Sequence, residues 1–359
     1  MPESLKLSDG FWRDRRVLVT GHTGFKGAWL AVWLTRLGAK VTGVSLPPDS
    51  YPSLYEMAGV RDDLRAHFEQ NIQHADSLEK VVQRSEPEIV FHLAAQSLVR
   101  ESYRQPIDTF ATNVMGTANL LNSMRSTPSI KVAVMVTTDK VYLNREWHYP
   151  YREDDRLGGH DPYSASKACC ELIVDAWRNS FLQAEGVSVA TARAGNVIGG
   201  GDWSVDRLFP DAVRAWSSGN VLSVRHPESI RPWQHVLDPL AGYITLARSL
   251  WEGRVEPGPF NFGPDAGGRG ATVGQVARMA GDVWGGGEVA LGLSPTGFHE
   301  AKLLTLDTSN TRNTLGCEPV WGLPESVRRT INWYRRVLDG ASARSLCEED
   351  IDAFEDAMG

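Results

Sequence analysis

The sequence predicts an α/β protein, a doubly wound parallel sheet with a smaller C-terminal substrate-binding lobe. Three observations carry that prediction. Short β-branched runs alternate with longer helical patterns over roughly the first two hundred residues. Those runs are apolar on both faces, as strands are when helices cover both sides of a parallel sheet. Glycines 21, 24 and 27 sit between the first strand and the first helix.

The elements follow in order. "RVLVT" (16–20) is the first strand, and "GAWLAVWLTRLG" (27–38) is a helix that Gly38 ends. "AKVTGV" (39–44) is the second strand. "EIVFHLAA" (88–95), "KVAVMVTT" (131–138) and "VSVATARA" (187–194) are further strands, separated by helices near 109–126 and 163–184. After residue 195 the rhythm weakens: "GNVIGGGDW" and "GPDAGGRGA" are loop-like, and aromatic residues gather. The expected division is a nucleotide-binding unit over 11–195, rejoined by segments near 235–263, under a lobe built from 196–234 and 264–345. Ligands of such sheets bind beyond the carboxyl ends of the strands.

Composition narrows the function. At 359 residues, 42% hydrophobic and 23% charged, the chain has the make-up of a soluble globular protein. A net charge of -7 argues against a nucleic-acid partner. "MPESLKLSDGFW" lacks the apolar core of a signal sequence, and "GAWLAVWL" is too short to span a bilayer. A cytoplasmic location with no membrane partner is the expectation. Cys169, Cys170, Cys317 and Cys347 show no CxxC spacing, so neither a metal nor a disulfide is expected.

"TGHTGFKG" is a phosphate loop. Gly21 permits a sharp turn, Gly24 lets backbone N–H groups approach a diphosphate, and Gly27 allows close helix–strand packing. The helix start favours the anion. The spacing is GxxGxxG rather than GxGxxG. "VSLPP" offers Ser45 where an acid commonly holds the adenosine ribose, so NAD and NADP are not distinguished there, and Lys26 is available to a 2′-phosphate. Further on, "DPYSASKACCEL" sets Tyr163 and Lys167 four apart on one helix face. An ammonium near a phenol stabilises phenolate and suits it to general-base work. Thr138, at the end of a neighbouring strand, can bond the same substrate oxygen.

"TGHTGFKG", Asn113 in "TNVMGT", Thr138 and "YSASK", in this order, resemble the extended short-chain dehydrogenase/reductase superfamily. The resemblance implies a Rossmann sheet, NAD as cofactor, and oxidation of a sugar hydroxyl by the Tyr163–Lys167 pair. It implies that Gly21, Thr23, Gly24, Phe25, Lys26, Gly27, Asn71, Ile72, Leu93, Ala94, Ala95, Tyr163 and Lys167 bind the cofactor. Asn71 in "QNIQHAD" stands where relatives carry an aspartate, and Leu143 where a polar residue is common. Asn113 is implied to support the lysine through a helix kink and water.

"TTDKVY" adds Asp139 and Lys140 directly after Thr138. A dehydrogenase or 4-epimerase has no use for them. A 4,6-dehydratase oxidises C4, removes water across C5–C6 and returns the hydride to C6, so it needs a C5 base and an acid for the 6-hydroxyl. The runs "VTGHTGFKGAWL", "IVFHLAAQ", "TTDKVYLNREW", "DPYSASK", "RAGNVIGGGDW", "SIRPWQHVLDPLAGYI" and "FNFGP" resemble the CDP-glucose branch of the nucleotide-sugar 4,6-dehydratases. That implies CDP-glucose as substrate, with Asp139 as the acid and Lys140 as the C5 base or, alternatively, an ammonium that stabilises the enolate. Asn196, Arg207, Arg231 and Trp233 are candidates to hold the sugar nucleotide. A homodimer through helices near 103–125 and 163–184, and a keto product destined for deoxysugars of surface polysaccharide, are also implied. A 4-epimerase, a dehydratase for another sugar nucleotide and a non-catalytic nucleotide sensor are the competing readings.

Overall fold

The computed structural model describes residues 7, 9–264, 270–292 and 301–359. Part of the opening stretch and the centre of "GPDAGGRGA" lie outside the described residues.

The chain runs β1 (Arg16–Thr20), α1 (Phe25–Arg36), β2 (Lys40–Ser45), β3 (Ala66–Glu69), α2 (Ala75–Ser85), β4 (Ile89–His92), α3 (Gly116–Arg125), β5 (Val132–Val136), α4 (Pro162–Trp177) and β6 (Ser188–Ala194). It then returns through α5 (Leu237–Trp251) and β7 (Pro259–Phe262). The seven strands form one sheet in the order β7-β6-β5-β4-β1-β2-β3, every pair parallel. The doubly wound expectation holds.

Strand side chains alternate between two cores, which explains why the runs are apolar throughout. Val17, Val19, Ile89, Phe91, Val132 and Val134 pack into one core with α1 and α5. Leu18, Val90, Ala133 and Met135 pack into the other, against α2, α3 and α4. Helix α1 buries every residue from Gly27 to Leu34. Gly38, at φ +88°, then turns the chain into β2.

The covering lobe holds helices Leu208–Ser217 and Val273–Trp284, a parallel strand pair Leu222–Val224 with Val289–Leu291, and α6 (Leu323–Leu338). The last helix, α7 (Ala343–Met358), extends past residue 345 and packs back on α1: Trp33 Nε1 donates to Glu355 Oε1 at 2.6 Å, and the Trp33 and Phe354 rings lie 5.7 Å apart. The strand order reverses beside β1, whose neighbours are β2 and β4. A cleft is expected beyond the carboxyl ends at such a switch point.

Candidate active site

A cleft of about 1010 Å³ opens at that point, and every residue proposed from the sequence to react or to bind cofactor or substrate lines it. Its floor is the glycine loop. Gly21 has φ +76°, and a Cβ there would lie 2.6 Å from Ala94 N. A Cβ on Gly27 would lie 2.1 Å from Gly21 O. Both positions therefore exclude any side chain. A Cβ on Gly24 would meet only Gly21 O, at 3.4 Å, and would instead fill cleft space. Helix α1 has no side-chain cap and no acidic residue in its first turn, so its N–H groups face the cleft uncontested. This cradle fits the diphosphate of a dinucleotide.

Thr23 Oγ1 bonds Ser45 Oγ at 2.7 Å and donates to Leu46 O at 2.9 Å, closing the end of β2. Asn71 Oδ1 accepts from Gln73 N at 2.9 Å, while Ile72, Leu93, Ala94 and Ala95 form the wall above β3 and β4. Lys26 does not go to the ribose end. Its ammonium lies 5.9 Å from the Tyr243 ring centroid, in the field of Arg207, Lys167, Asp139 and Lys140. Burial first, then Arg207 and Lys167, pulls it down to about 7.

The end of β5 meets α4 residue by residue. Tyr163, Lys167 and Glu171 recur at every fourth position and share one face of α4. Lys167 Nζ donates to Val136 O at 3.1 Å, and Thr137 Oγ1 donates to Glu171 Oε1 at 2.5 Å. The Thr138 hydroxyl donates to Asp139 Oδ1 at 2.9 Å and stands close enough to the Tyr163 phenol to shift its titration. Asp139 is 1% exposed, its Oδ1 lies 3.5 Å from Lys140 Nζ, and its buried Oδ2 has no hydrogen-bond partner. Lys140 keeps 32% of its side chain exposed to the cleft.

Burial pushes the Tyr163 phenol up to about 12, against the Thr138 hydrogen bond and Arg207, which favour phenolate. Lys167 lies one turn along α4 from Tyr163. Its ammonium is tethered to the Val136 carbonyl, and burial lowers its pKa against Cys170 and Glu171. Behind the pair, Glu171 forms an ion pair with Arg193 at 2.9 Å, each side chain only 4% exposed. Thr191 Oγ1 also donates to Glu171, at 2.7 Å, and Arg193 donates to Tyr142 OH and Glu153 O.

Asn113 lies in a π-helical turn, Ala111–Met115, where α3 begins. Its side chain brackets Gln96 (Oδ1 to Gln96 N 2.8 Å, Nδ2 to Gln96 O 3.0 Å) and donates to Ser166 Oγ at 2.8 Å. It thus steadies the residue before Lys167.

At the outer end, Asn196 Oδ1 is buried with no partner. Arg207 lies 3.7 Å from Asp202, and Arg231 is 8% exposed with its guanidinium donating to Ile230 O. Trp233 donates to Ala271 O and walls the cleft. Arg100 and Arg225 join the cleft without any motif to announce them. Both reach the same oxygen of Asp206, at 3.1 and 3.3 Å, and Asp206 holds a left-handed φ of +60°. No sequence motif marks single charges in one short helix, Val99–Arg104, and two separate loops.

The family model for GDP-mannose 4,6 dehydratase matches residues 18–253. A CDP-glucose 4,6-dehydratase of Salmonella typhimurium is 44% identical, covering 98% of this chain and 99% of its own. A dTDP-glucose 4,6-dehydratase of Streptomyces griseus is 28% identical, covering 89% of this chain and 94% of its own. Among solved structures, the dTDP-glucose 4,6-dehydratase of Bacillus anthracis in complex with NAD superposes with a TM-score of 0.76 over 91% of this chain and 98% of that one, at 21% identity. The UDP-glucose 4-epimerase of Stenotrophomonas maltophila reaches 0.80 over 91% and 100%, at 22% identity. The structures share the fold; the sequence match over nearly the whole chain goes further, and it makes this chain a member of the GDP-mannose 4,6-dehydratase family.

Proposed function

We propose that this chain is a CDP-glucose 4,6-dehydratase that converts CDP-glucose to CDP-4-keto-6-deoxyglucose and water on bound NAD. The observation that carries the reading is the Asp139–Lys140 pair, set beside the Tyr163–Lys167 pair at the end of β5. Bound NAD would supply the acceptor for the C4 hydride and the donor that returns it to C6. The glycine loop and α1 would hold its diphosphate, with Asn71, Ile72, Leu93, Ala94 and Ala95 lining the same cleft.

Tyr163 takes the O4 proton, assisted by Thr138 and the ammonium of Lys167. The ketone at C4 acidifies C5–H. Lys140 removes that proton, Asp139 protonates the departing 6-hydroxyl, and Lys140 later returns its proton to C5. Asn196, Arg207 and Arg231 hold the sugar nucleotide, and Trp233 walls its pocket. A 4-epimerase has no task for a buried carboxylate at Asp139. The 44% identity to a CDP-glucose enzyme favours cytosine as the base.

A cytoplasmic location belongs to the same proposal; among the described residues no helix is long and apolar enough to cross a membrane. Ile107, Met115 and Leu172 are 82%, 56% and 60% exposed on the helices expected to pair, so a homodimer belongs to the same proposal. Its keto product would feed CDP-linked deoxysugar synthesis.

The test is incubation with a panel of nucleoside-diphosphate glucoses, with and without added NAD. A 4-keto-6-deoxy product from CDP-glucose alone supports the reading. Epimerised sugar, or an equal yield from dTDP-glucose, refutes it. Lys140→Arg separates the two roles of Lys140: it keeps the charge and loses the base, so elimination stops if Lys140 is the base.

A further inference from the structure

Per turnover, Tyr163 gains one proton from O4 and Asp139 gives one to O6, while Lys140 takes one from C5 and returns it there. The cycle therefore ends with a proton on Tyr163 that Asp139 lacks. Thr138 Oγ1 lies between those two groups. It acts on the Tyr163 phenol on one side, favouring phenolate, and donates to Asp139 Oδ1 at 2.9 Å on the other. All three residues are buried, at 6%, 1% and 8% exposure for Thr138, Asp139 and Tyr163.

We infer that Thr138 relays the O4 proton from Tyr163 to Asp139, so that the hydrogen taken from the 4-hydroxyl leaves as part of the water formed from the 6-hydroxyl. The inference rests on the dehydratase reading above. The phenol gives its proton to Thr138 Oγ1 while the hydroxyl proton of Thr138 passes to Asp139. Two O–H bonds break and two form. Tyr163 is left as phenolate for the next oxidation, and Asp139 is left as the acid that the 6-hydroxyl needs. The enzyme then recycles a proton internally, as it recycles the hydride. Transfer from a phenol to a carboxylate runs uphill, and loss of water from the sugar draws it forward.

The charged and titratable groups that face the relay belong to the same cleft. Lys140 lies beside Asp139. Lys26 comes from α1, and Arg207 from the loop before helix Leu208–Ser217. Asp161 caps α4, and Tyr243 comes from α5. Arg207 favours phenolate on Tyr163 and so eases departure of the proton. Asp139 is the one carboxylate that Thr138 touches among the described residues.

The experiment is a single turnover of the NAD-loaded enzyme on CDP-glucose in weak buffer, followed by reduced-nicotinamide absorbance and by a pH-indicator dye. The relay predicts that reduced nicotinamide forms and decays in the wild type with no proton exchanged with solvent. In Thr138→Val, Asp139 must draw its proton from bulk water. The decay then slows by about a hundredfold, slows further as pH rises, and takes up one proton per molecule decaying. Thr138→Ser restores the wild-type traces. Uptake of one proton during the wild-type decay overturns the relay, whatever the variants do. So does a Thr138→Val decay at the wild-type rate and insensitive to pH. A preparation that never reduces nicotinamide on CDP-glucose defeats the dehydratase reading itself, and the relay with it.

Discussion

Glu171→Gln tests how the reacting segment is held. Glu171 and Arg193 are paired at 2.9 Å with 4% of each side chain exposed, and Glu171 also accepts from Thr137 and Thr191. Neutralising Glu171 leaves the Arg193 guanidinium buried without a counter-charge. Breaking a buried pair from one side costs about 3–5 kcal/mol, and the amide forfeits one hydroxyl contact at about 1 kcal/mol. Arg193 keeps its bonds to Tyr142 OH and Glu153 O, so the loss sits near the lower end, at about 4 kcal/mol. In urea unfolding followed by tryptophan fluorescence, that is a midpoint lower by about 1 M. The double variant Glu171→Met with Arg193→Met removes both charges and should recover to within about 1–2 kcal/mol of the parent. Because Thr137 hangs from Glu171 and precedes Thr138 and Asp139, oxidation and elimination should slow together in Glu171→Gln. A shift below about 0.3 M, or a double variant no better than the single, refutes the view that this pair carries the strand end.

Other outcomes follow from the same geometry. Tyr163→Phe should abolish reduction of nicotinamide, whereas Asp139→Asn should leave it measurable and slow water loss by about 10²–10⁴-fold, both read in a single turnover. Gly27→Ala puts a methyl 2.1 Å from Gly21 O, so it should weaken dinucleotide binding by titration calorimetry by at least about tenfold while Gly24→Ala, with open space, weakens it through the ligand alone. Burial raises the Asp238 carboxyl to about 7, against hydrogen bonds from Val320, Trp321 and His235. The folded state therefore binds its proton more tightly than the unfolded chain, and that stability is present at low pH and lost as pH rises through about 7. Asp238→Asn should match the parent near pH 4 and exceed it by about 2–4 kcal/mol at pH 8 in urea unfolding.

Most of the sheet was legible because parallel strands buried on both faces read as unbroken apolar runs. "RVLVT" and "VSVATARA" became β1 and β6 within one residue at each end. β3, "AHFE", escaped: it is a four-residue edge strand with no buried residue, so it leaves no apolar run to find. β7 was anticipated only as a returning segment, since "PFNF" pairs with a strand more than sixty residues earlier. In the site, the glycine loop and Tyr163–Lys167 were legible because their spacing is local. The position of Lys26 was not, because a lysine at a helix start reads as solvated until Tyr243 and Lys167 close around it. Arg100, Asp206 and Arg225 converge only through the fold. Glu171 did carry a signal, four residues beyond Lys167 on the face that holds Tyr163, but its partner lies on β6.

The central claim is that one pair of electrons leaves the sugar at C4, is held within the cleft, and re-enters at C6. CDP-glucose carrying deuterium at C4 decides it. Turnover should yield product with the label in the new methyl group, transferred within a single molecule even when labelled and unlabelled substrate are mixed. Label lost to solvent, retained at C4 or scrambled between molecules would contradict the mechanism.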